Sequence, residues 1–413
     1  MNLSQLGWVF WLFGLVYLPA QVYLFFAARY LLGEWLPGGK RHAWVSRATA
    51  IFLLVISFPL LWRLFFAENA FRLSSSPLWW YFTVSTIWGY GSVGSALILV
   101  AYNVFRRIIL FWMPASVSSR APDLERRRFL KTGVSAAAAS PILLSGYGVL
   151  LERRLFDVEH FEIPVSGLSS TLAQFSIVQL TDIHVGPYMT AEHLSAYVEA
   201  VNRLKADLIV LTGDFVTNSI AEVAPCAAVL GLLQARFGVY ACLGNHDIYS
   251  GSGDELTDRF RERGIKTLRN DAACIRSGNS QISILGIEDL MSGTPDLKRA
   301  LKISQADPGE VKILLSHRPE IFPAAAMSGV DLTLAGHYHG GQIRLAPNPQ
   351  SLSIARLLTP YTEGFFRLPR SRAVAQGEQK DATLFVSRGI GITALPIRIN
   401  CSPQIAHLRL VKA

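Results

Sequence analysis

Leu208-Ile209-Val210-Leu211-Thr212-Gly213-Asp214 is the stretch that decides the fold of the second part of this chain. Its first four residues are apolar and branched, which predicts a buried β-strand. Gly213 permits a sharp turn, so Asp214 is expected at the carboxyl end of that strand. In α/β sheets ligands bind at this edge, which makes the Asp214 carboxylate a candidate functional group.

Four further blocks of polar residues follow other strand-like runs, and each contains residue types that bind metal ions. A single Asp-x-His pair or an isolated histidine is common in proteins without a metal site. Here, however, five of the nine histidines of the chain lie in these blocks. The blocks are Asp182-Ile183-His184, Gly244-Asn245-His246-Asp247, Ser316-His317 and Gly336-His337-Tyr338-His339-Gly340.

Carboxylate, imidazole and amide oxygen together are ligands that suit Mn, Fe or Zn. Asp214 has two carboxylate oxygens, so we expect it to bridge two divalent ions by giving one oxygen to each. Two ions about 3.5–4 Å apart clamp a phosphoryl oxygen and activate a bridging hydroxide. The predicted metal ligands are Asp182, His184, Asp214, Asn245, His317, His337 and His339.

His246 stands beside a predicted ligand without being needed as one. It is therefore a candidate catalytic residue that reaches the leaving oxygen or stabilises charge on the phosphoryl oxygens. Asp247 is expected to assist by orienting His246, or alternatively to cap a helix. Arg388 is a candidate phosphate-binding residue, with a structural salt bridge as the alternative.

The first part of the chain is membrane-like. The chain has 413 residues, of which 51% are hydrophobic, and its mean hydropathy is +0.31. A spanning helix needs about 20 mostly apolar residues. Three to four such runs predict an all-α transmembrane region over residues 1–155, although the fourth also fits a buried soluble helix. The runs are Leu6–Leu32, Trp44–Phe66, Leu78–Leu110 and Thr132–Leu151.

Charge separates the two parts and gives an orientation. Residues 1–155 carry 15 Lys and Arg against 5 Asp and Glu, whereas residues 156–413 carry 24 against 25. The domain over 156–413 therefore has no positive field for nucleic acid. By the positive-inside rule, the basic groups around Lys40–Arg47 and Arg106–Lys131 are cytoplasmic. The domain over 156–413 is then expected outside the cytoplasm, on a multi-pass protein of a bacterial inner membrane.

A second pattern gives the same orientation. Glu125-Arg126-Arg127-Arg128-Phe129-Leu130-Lys131, followed by an Ala-rich run, resembles a twin-arginine export signal over residues 125–151. The alternative is a plain cytoplasmic stop. No cleavage site that must be used is evident, so we expect a retained anchor.

The cysteines predict no metal site and no disulfide framework. Cys226, Cys242, Cys274 and Cys401 lack metal spacing and are too sparse for a disulfide scaffold. A single bridge between two of Cys226, Cys274 and Cys401 remains open.

Together, the five blocks in this order resemble the calcineurin-like metallophosphoesterase superfamily over about residues 172–411. Flanking stretches such as Tyr361-Thr362-Glu363-Gly364-Phe365 and Pro396-Ile397-Arg398 resemble its membrane-associated branch of YkuE- and YaeI-like phosphodiesterases. The resemblance implies an α/β fold with a two-sheet β-sandwich flanked by helices. It also implies one ion held by Asp182, His184, Asp214 and His339, and another held by Asp214, Asn245, His317 and His337.

The function expected is a membrane-anchored, dimetal phosphodiesterase or pyrophosphatase that uses a metal-bound hydroxide. Because the anchor holds the site beside lipid, a phospholipid or lipid-linked nucleotide is the candidate substrate. Ile354–Leu358 and Phe365-Phe366 are either an apolar surface over the site or ordinary core. Two alternatives stay open: a broad phosphomonoesterase acting on soluble esters, and a non-catalytic membrane sensor or binding domain. The oligomeric state and the metal identity are undetermined.

Overall fold

The computed structural model of the chain describes residues 3–35, 39–65, 79–113, 124–166, 168–305, 310–370, 381–392 and 396–413. Among these residues the chain divides into two compact units, one ending at Leu151 and one running from Glu152 to Ala413.

The first unit is helical. Three stretches of the described residues are long and apolar enough to cross a membrane: Lys40–Trp62, Trp80–Trp112 and Arg128–Arg154. The prediction of an all-α region with at least three candidate spans is therefore confirmed. The helices are α1 (Leu3–Trp35), α2 (Lys40–Phe65), α3 (Trp79–Trp112) and α4 (Leu124–Leu150).

Buried polar side chains connect these helices. The hydroxyl groups of Tyr17 and Ser57 lie 2.6 Å apart, and Gln21 Nε2 donates to Ser92 Oγ at 2.8 Å. These bonds join α1 to α2 and α1 to α3. The basic group at Lys40–Arg47, which we expected in a loop, lies inside α2. Arg120 of the other basic group lies outside the described residues.

The second unit contains two six-stranded sheets. In the first sheet the order is β1-β12-β2-β3-β4-β5, and every neighbouring pair is parallel except β12 with β2. Its strands are β1 (Asp157–Val165), β2 (Ser176–Leu180), β3 (Leu208–Thr212), β4 (Val239–Cys242), β5 (Ile265–Thr267) and β12 (Gln404–Lys412).

The second sheet has the order β10-β11-β9-β8-β7-β6, with parallel strands in the middle and antiparallel pairs at both edges. Its strands are β6 (Asp271–Ser277), β7 (Ser280–Gly286), β8 (Val311–Leu315), β9 (Leu332–Ala335), β10 (Gly364–Pro369) and β11 (Asp381–Val386).

Helices flank the sheets. They are α5 (Ala191–Arg203), α6 (Val223–Leu230), α7 (Asn245–Tyr249), α8 (Gly253–Glu262), α9 (Leu297–Ser304), α10 (Phe322–Met327) and α11 (Ile354–Leu358). The two-sheet sandwich flanked by helices is the predicted fold, and it is confirmed.

β3 is buried on both faces, as its continuous apolar run predicts. Leu208 and Val210 pack between the sheets, whereas Ile209 and Leu211 pack in the cluster that includes the helices. Because side chains alternate along a strand, the two faces of β3 pack into two different hydrophobic clusters. A polar bond also joins the sheets: buried Gln179 of β2 donates to Thr212 Oγ1 at 2.8 Å and to the Ala335 carbonyl at 2.9 Å.

Some elements differ from the sequence-based expectation. The pattern of residues 220–233 predicts a mostly helical segment. In the structure, the segment begins with a 3₁₀ turn at Ile220–Glu222, and α6 ends at Leu230. β5, β10, α9 and α10 were not predicted from the sequence. All four cysteines are free thiols, so the bridge left open above does not form in this structure.

Candidate metal centre

Polar side chains converge where several strands of both sheets end. Asp182 and His184 follow β2, Asp214 follows β3, Asn245 follows β4, His317 follows β8, and His337 and His339 follow β9. Three groups of ligand atoms each lie within 4.8 Å of one another. The groups are Asp182 with His184 and His339, His184 with Asp214 and His246, and Asp214 with His317 and His337.

The backbone of these loops is unusual. Asp182, His184, Asp214, His337 and His339 all have positive φ, between 50° and 77°. Such a conformation is uncommon for residues other than glycine and costs about 1–3 kcal/mol each, so the surrounding structure must enforce it. Five of the seven predicted ligands are therefore aimed by strained backbone.

Two glycines allow carboxylates to pack directly against backbone. A Cβ on Gly244 would lie 2.2 Å from Asp214 Oδ1, and one on Gly336 would lie 2.3 Å from Asp182 Oδ2. Any side chain at either position would displace a predicted ligand. This is the physical reason why both glycines belong to the blocks.

Asp214 occupies the middle of the cluster. Its Oδ2 atom lies 3.5 Å from His184 Nε2 and 3.2 Å from His317 Nε2. Its Oδ1 atom accepts a hydrogen bond from the His246 backbone N–H at 2.8 Å. We expected one carboxylate oxygen for each ion; instead, a single oxygen faces the histidines on both sides.

The His317–Asp214 pair tests whether a cation fits the site. His317 Nδ1 lies 2.8 Å from the Thr212 carbonyl and must donate to it, so Nε2 of the neutral ring directs a lone pair at Asp214. Burial lowers the pKa of His317, but the charge and hydrogen bond of Asp214 prevail and raise it to about 10. The pair thus favours a positive charge between its atoms, which a divalent ion also supplies.

His184 and His339 form the other side of the cluster. Their Nε2 atoms face each other at 3.2 Å, and His339 Nε2 lies 3.4 Å from Asp182 Oδ1. Burial lowers the pKa of His339 to about 4 and holds the pKa of His184 well below its usual value. Both rings are therefore neutral at neutral pH, which is the form of histidine that binds metal.

Arg318 and Asp289 belong to this centre although the sequence did not single them out. Arg318 donates to Asp289 Oδ2 at 2.9 Å, to His337 Nε2 at 2.6 Å and to Asn245 Oδ1 at 3.3 Å. One guanidinium thus fixes two predicted ligands. The signals were faint: Arg318 directly follows His317, and Asp289 comes three residues after β7 ends.

His246 lies at the rim of the cluster. Its Nδ1 atom donates to the Thr217 carbonyl at 2.8 Å. Its ring packs edge-on against the His184 ring, with 4.7 Å between ring centroids. The orientation of His246 therefore comes from a backbone carbonyl.

Asp247 is fully buried and holds backbone. Its carboxylate accepts hydrogen bonds from the N–H groups of Asp214, Phe215, Val216 and Gly244 at 2.7–3.3 Å. Burial and the nearby Asp214 charge raise the pKa of Asp247 to about 7. These contacts correspond to the capping alternative, because they join the start of α7 to the loop that carries Asp214.

Arg388 is engaged in ion pairs. Its guanidinium lies 2.7 Å from Glu159 Oε1 and 3.9 Å from Glu363 Oε1, and its Nε donates to the Ser402 carbonyl. This favours the salt-bridge alternative over phosphate binding.

Arg398 stabilises a segment that contacts the backbone of Asp182. It was not predicted as a site residue. It is fully buried, and it holds the segment whose Gly391 N–H donates to the Asp182 carbonyl at 2.7 Å. Its guanidinium donates to the carbonyls of Arg388, Gly389, Gly391 and Cys401 at 2.6–3.2 Å.

Carboxylates and histidines converge at the ends of strands from two sheets, in a cluster that favours a bound cation. This is the architecture of a metal-dependent phosphoester hydrolase. The family described as Calcineurin-like phosphoesterase matches residues 175–341. The metallophosphoesterase YkuE of Bacillus subtilis is 32% identical over 299 residues, which cover 70% of this chain and 98% of YkuE. The chain belongs to the calcineurin-like phosphoesterase family, as its motifs predicted.

Two further relatives are similar over comparable lengths. Phosphodiesterase YaeI of Escherichia coli is 27% identical over 298 residues, covering 70% of this chain and all of YaeI. A Danio rerio transmembrane protein with a metallophosphoesterase domain is 29% identical over 283 residues, covering 66% of this chain and 61% of that protein.

Replacing Asp247 by Asn tests its role in holding the loop. One amide oxygen can accept, but the amide NH₂ would face two backbone N–H groups, so we expect the second unit to lose about 3 kcal/mol of stability. Asp254→Asn, at an exposed ion pair with Arg269, should cost about 1 kcal/mol or less.

Pulse proteolysis in urea is the suitable measurement for these two variants. All nine tryptophans lie within residues 1–112, so tryptophan fluorescence would not report on the second unit. Equal unfolding midpoints for Asp247→Asn and Asp254→Asn would contradict the role given to Asp247.

Proposed function

We propose that residues 156–413 form a dimetal phosphodiesterase or pyrophosphatase domain, anchored in a membrane by residues 1–155. The observation that carries the dinuclear centre is the position of Asp214 Oδ2 between His184 and His317. One carboxylate oxygen there can touch two ions.

The residues fit two ions as follows. One ion would be held by Asp182, His184, Asp214 and His339, and the other by Asp214, Asn245, His317 and His337. Bound divalent ions supply Lewis acidity to the phosphoryl group and lower the pKa of water. Mn, Fe and Zn all suit this mixture of oxygen and nitrogen donors.

His246 is the proposed proton donor to the leaving oxygen. Because Nδ1 is committed to the Thr217 carbonyl, Nε2 is the nitrogen that can carry a proton to a substrate. Asp247 is a positioning residue in this proposal, since its carboxylate is used by backbone N–H groups.

Metal content and turnover should separate these roles. The purified chain should hydrolyse bis-p-nitrophenyl phosphate with added Mn²⁺ and lose the activity in excess chelator. Asp214→Ala should lose both metal and turnover because both ions share this ligand. His246→Ala should retain metal while turnover falls about 10²–10⁴-fold.

His193→Ala is the matched control, because His193 lies on α5 outside the three ligand groups. Elemental analysis and initial rates on all the variants give the answer. If His246→Ala empties the site, His246 is a ligand; undiminished activity in chelator would remove the dimetal mechanism.

A phospholipid or lipid-linked nucleotide is the proposed substrate class. Three candidate spans support it, as do relatives named transmembrane proteins with a metallophosphoesterase domain. A phosphomonoesterase acting on soluble esters is the second candidate. A purely sensory domain has less support, because it would not need the complete set of donors.

A lipid extract tests the substrate class. Incubated with the full chain in detergent, it should lose a phosphodiester or pyrophosphate lipid and gain the hydrolysis product, read by mass spectrometry. The Asp214→Ala variant should leave the extract unchanged. Turnover confined to water-soluble phosphomonoesters would favour the second candidate.

We also propose that the chain resides in a bacterial inner membrane with the catalytic domain outside the cytoplasm. By the positive-inside rule, the basic groups around Lys40–Arg47 and Arg106–Lys131 support this orientation. The segment at 125–151 supports it as well, whether it acts as a twin-arginine signal or as a cytoplasmic stop.

Reporter fusions test the orientation. A periplasm-active phosphatase fused after Ala413 should be active, and a cytoplasm-active fluorescent protein at the same position should be dark. The same two reporters fused within residues 114–123, a segment predicted cytoplasmic, should give the opposite readings. Reversed results at both positions would overturn the topology.

A further inference from the structure

Five large aliphatic side chains are exposed on one short segment of the second unit. Leu345, Leu352, Ile354, Leu357 and Leu358 are 80%, 60%, 75%, 74% and 77% exposed. Single exposed leucines are ordinary, but a group of five in 14 consecutive residues is not. We call these five side chains the 345–358 face.

Local structure holds these side chains together. The Leu345 N–H donates to the Leu352 carbonyl at 3.1 Å, which brings those two residues side by side. Ile354, Leu357 and Leu358 lie on α11 at spacings of three and four residues, which places them on one side of the helix. One backbone hydrogen bond and one short helix therefore hold the side chains of the 345–358 face.

The 345–358 face adjoins the metal centre. Ser353 caps α11, and a Cβ on Gly341, two residues after the predicted ligand His339, would lie 2.4 Å from Ser353 Oγ. At the other end of α11, Thr359 and Tyr338 both donate to Glu320 Oε1, at 3.2 and 2.6 Å. Tyr338 stands between His337 and His339, so whatever covers the face lies beside the ligands.

The charges around the 345–358 face favour an anionic partner for it. Residues 343–370 contain four arginines and one glutamate, in a domain whose formal charge is otherwise negative. Arg356 lies on α11 itself, among the leucines. A short helix with leucines on one side and arginine nearby is typical of segments that lie in the interface of an anionic bilayer.

The last candidate span is joined directly to the second unit, so a bilayer that holds this span lies close to that unit along the chain. The candidate span Arg128–Arg154 ends three residues before β1 begins at Asp157. A membrane that holds this span is therefore never more than a few residues of chain away from the second unit. That raises the effective concentration of lipid at its surface.

We propose that the 345–358 face is a membrane-docking surface that enters the interfacial layer of an anionic phospholipid bilayer and holds the metal centre at the level of the lipid headgroups. The inference rests on the proposed membrane attachment and not on the hydrolytic activity. A lipid-linked phosphoester could then reach the centre without leaving the bilayer.

Depth-dependent quenching in nanodiscs tests this docking. Cys274 is the exposed cysteine of the four, so Cys274→Ser gives a background for labelling. The full chain carrying Leu357→Cys, labelled with the fluorophore NBD, is placed in nanodiscs of phosphatidylethanolamine and phosphatidylglycerol. Lipids with a spin label near the headgroup should reduce its emission roughly twofold or more.

Leu232→Cys is the matched control, because Leu232 is a 60% exposed leucine of the same unit outside the face. Its label should lose little emission. Retained metal content shows that each labelled variant is folded, and Leu352→Cys replaces Leu357→Cys if that variant does not retain metal.

Three results would overturn the proposal. The label at residue 357 stays unquenched in discs that contain the chain; the labels at 357 and 232 are quenched equally; or shielding at 357 occurs only with several chains per disc, which indicates a protein partner. A chain absent from the disc fraction would instead remove the membrane attachment, while bis-p-nitrophenyl phosphate hydrolysis would still report on the metal centre.

Discussion

The second unit depends on a buried carboxylate whose Oδ2 atom faces imidazole nitrogens on two sides. Asp214 Oδ2 lies within 3.5 Å of both His184 and His317. Buried away from water, the lone pairs of the carboxylate oxygen and of neutral imidazole nitrogens repel one another unless a positive charge lies among them. Asp214 raises the pKa of His317, whereas burial lowers the pKa of His339. One side of the cluster attracts a cation, and the other stays neutral so that it can bind one.

The scaffold supports this arrangement at a cost in backbone strain. Left-handed residues such as Asp182 and Asp214 persist because other groups hold their loops in place. Asp247 ties the loop that carries Asp214 through three backbone N–H groups of that loop. Arg398 holds the segment of Arg388, Gly389 and Gly391 through their carbonyls. The Gly391 N–H in turn donates to the Asp182 carbonyl. The strand ends position the predicted ligands, and buried charged side chains hold the loops that follow them.

In the proposed function, the first unit and the 345–358 face hold the hydrolytic site beside lipid. The candidate spans are recognised by length and composition, properties that a linear sequence displays directly.

The 345–358 face, by contrast, cannot be recognised from the sequence alone. Ile354–Leu358 fits an apolar surface or ordinary core equally well as a sequence, and the exposure of Leu357 and Leu358 distinguishes the two. Phe365 and Phe366, grouped with that run at first, belong to β10 at the edge of the second sheet.

The sequence by itself determined the residue types of the candidate metal centre and, through the family that these motifs resemble, the two-sheet fold. Strand β3 and its closing Asp214 are local features, and ligand chemistry belongs to individual side chains. Only the tertiary structure decided which neighbours hold those side chains. Arg318 reaches His337 and Asn245, Asp247 binds backbone, and Arg388 pairs with Glu159 across 229 residues. Hydrogen-bond partners so distant in the chain leave no periodic signal, because they meet only when both sheets have formed.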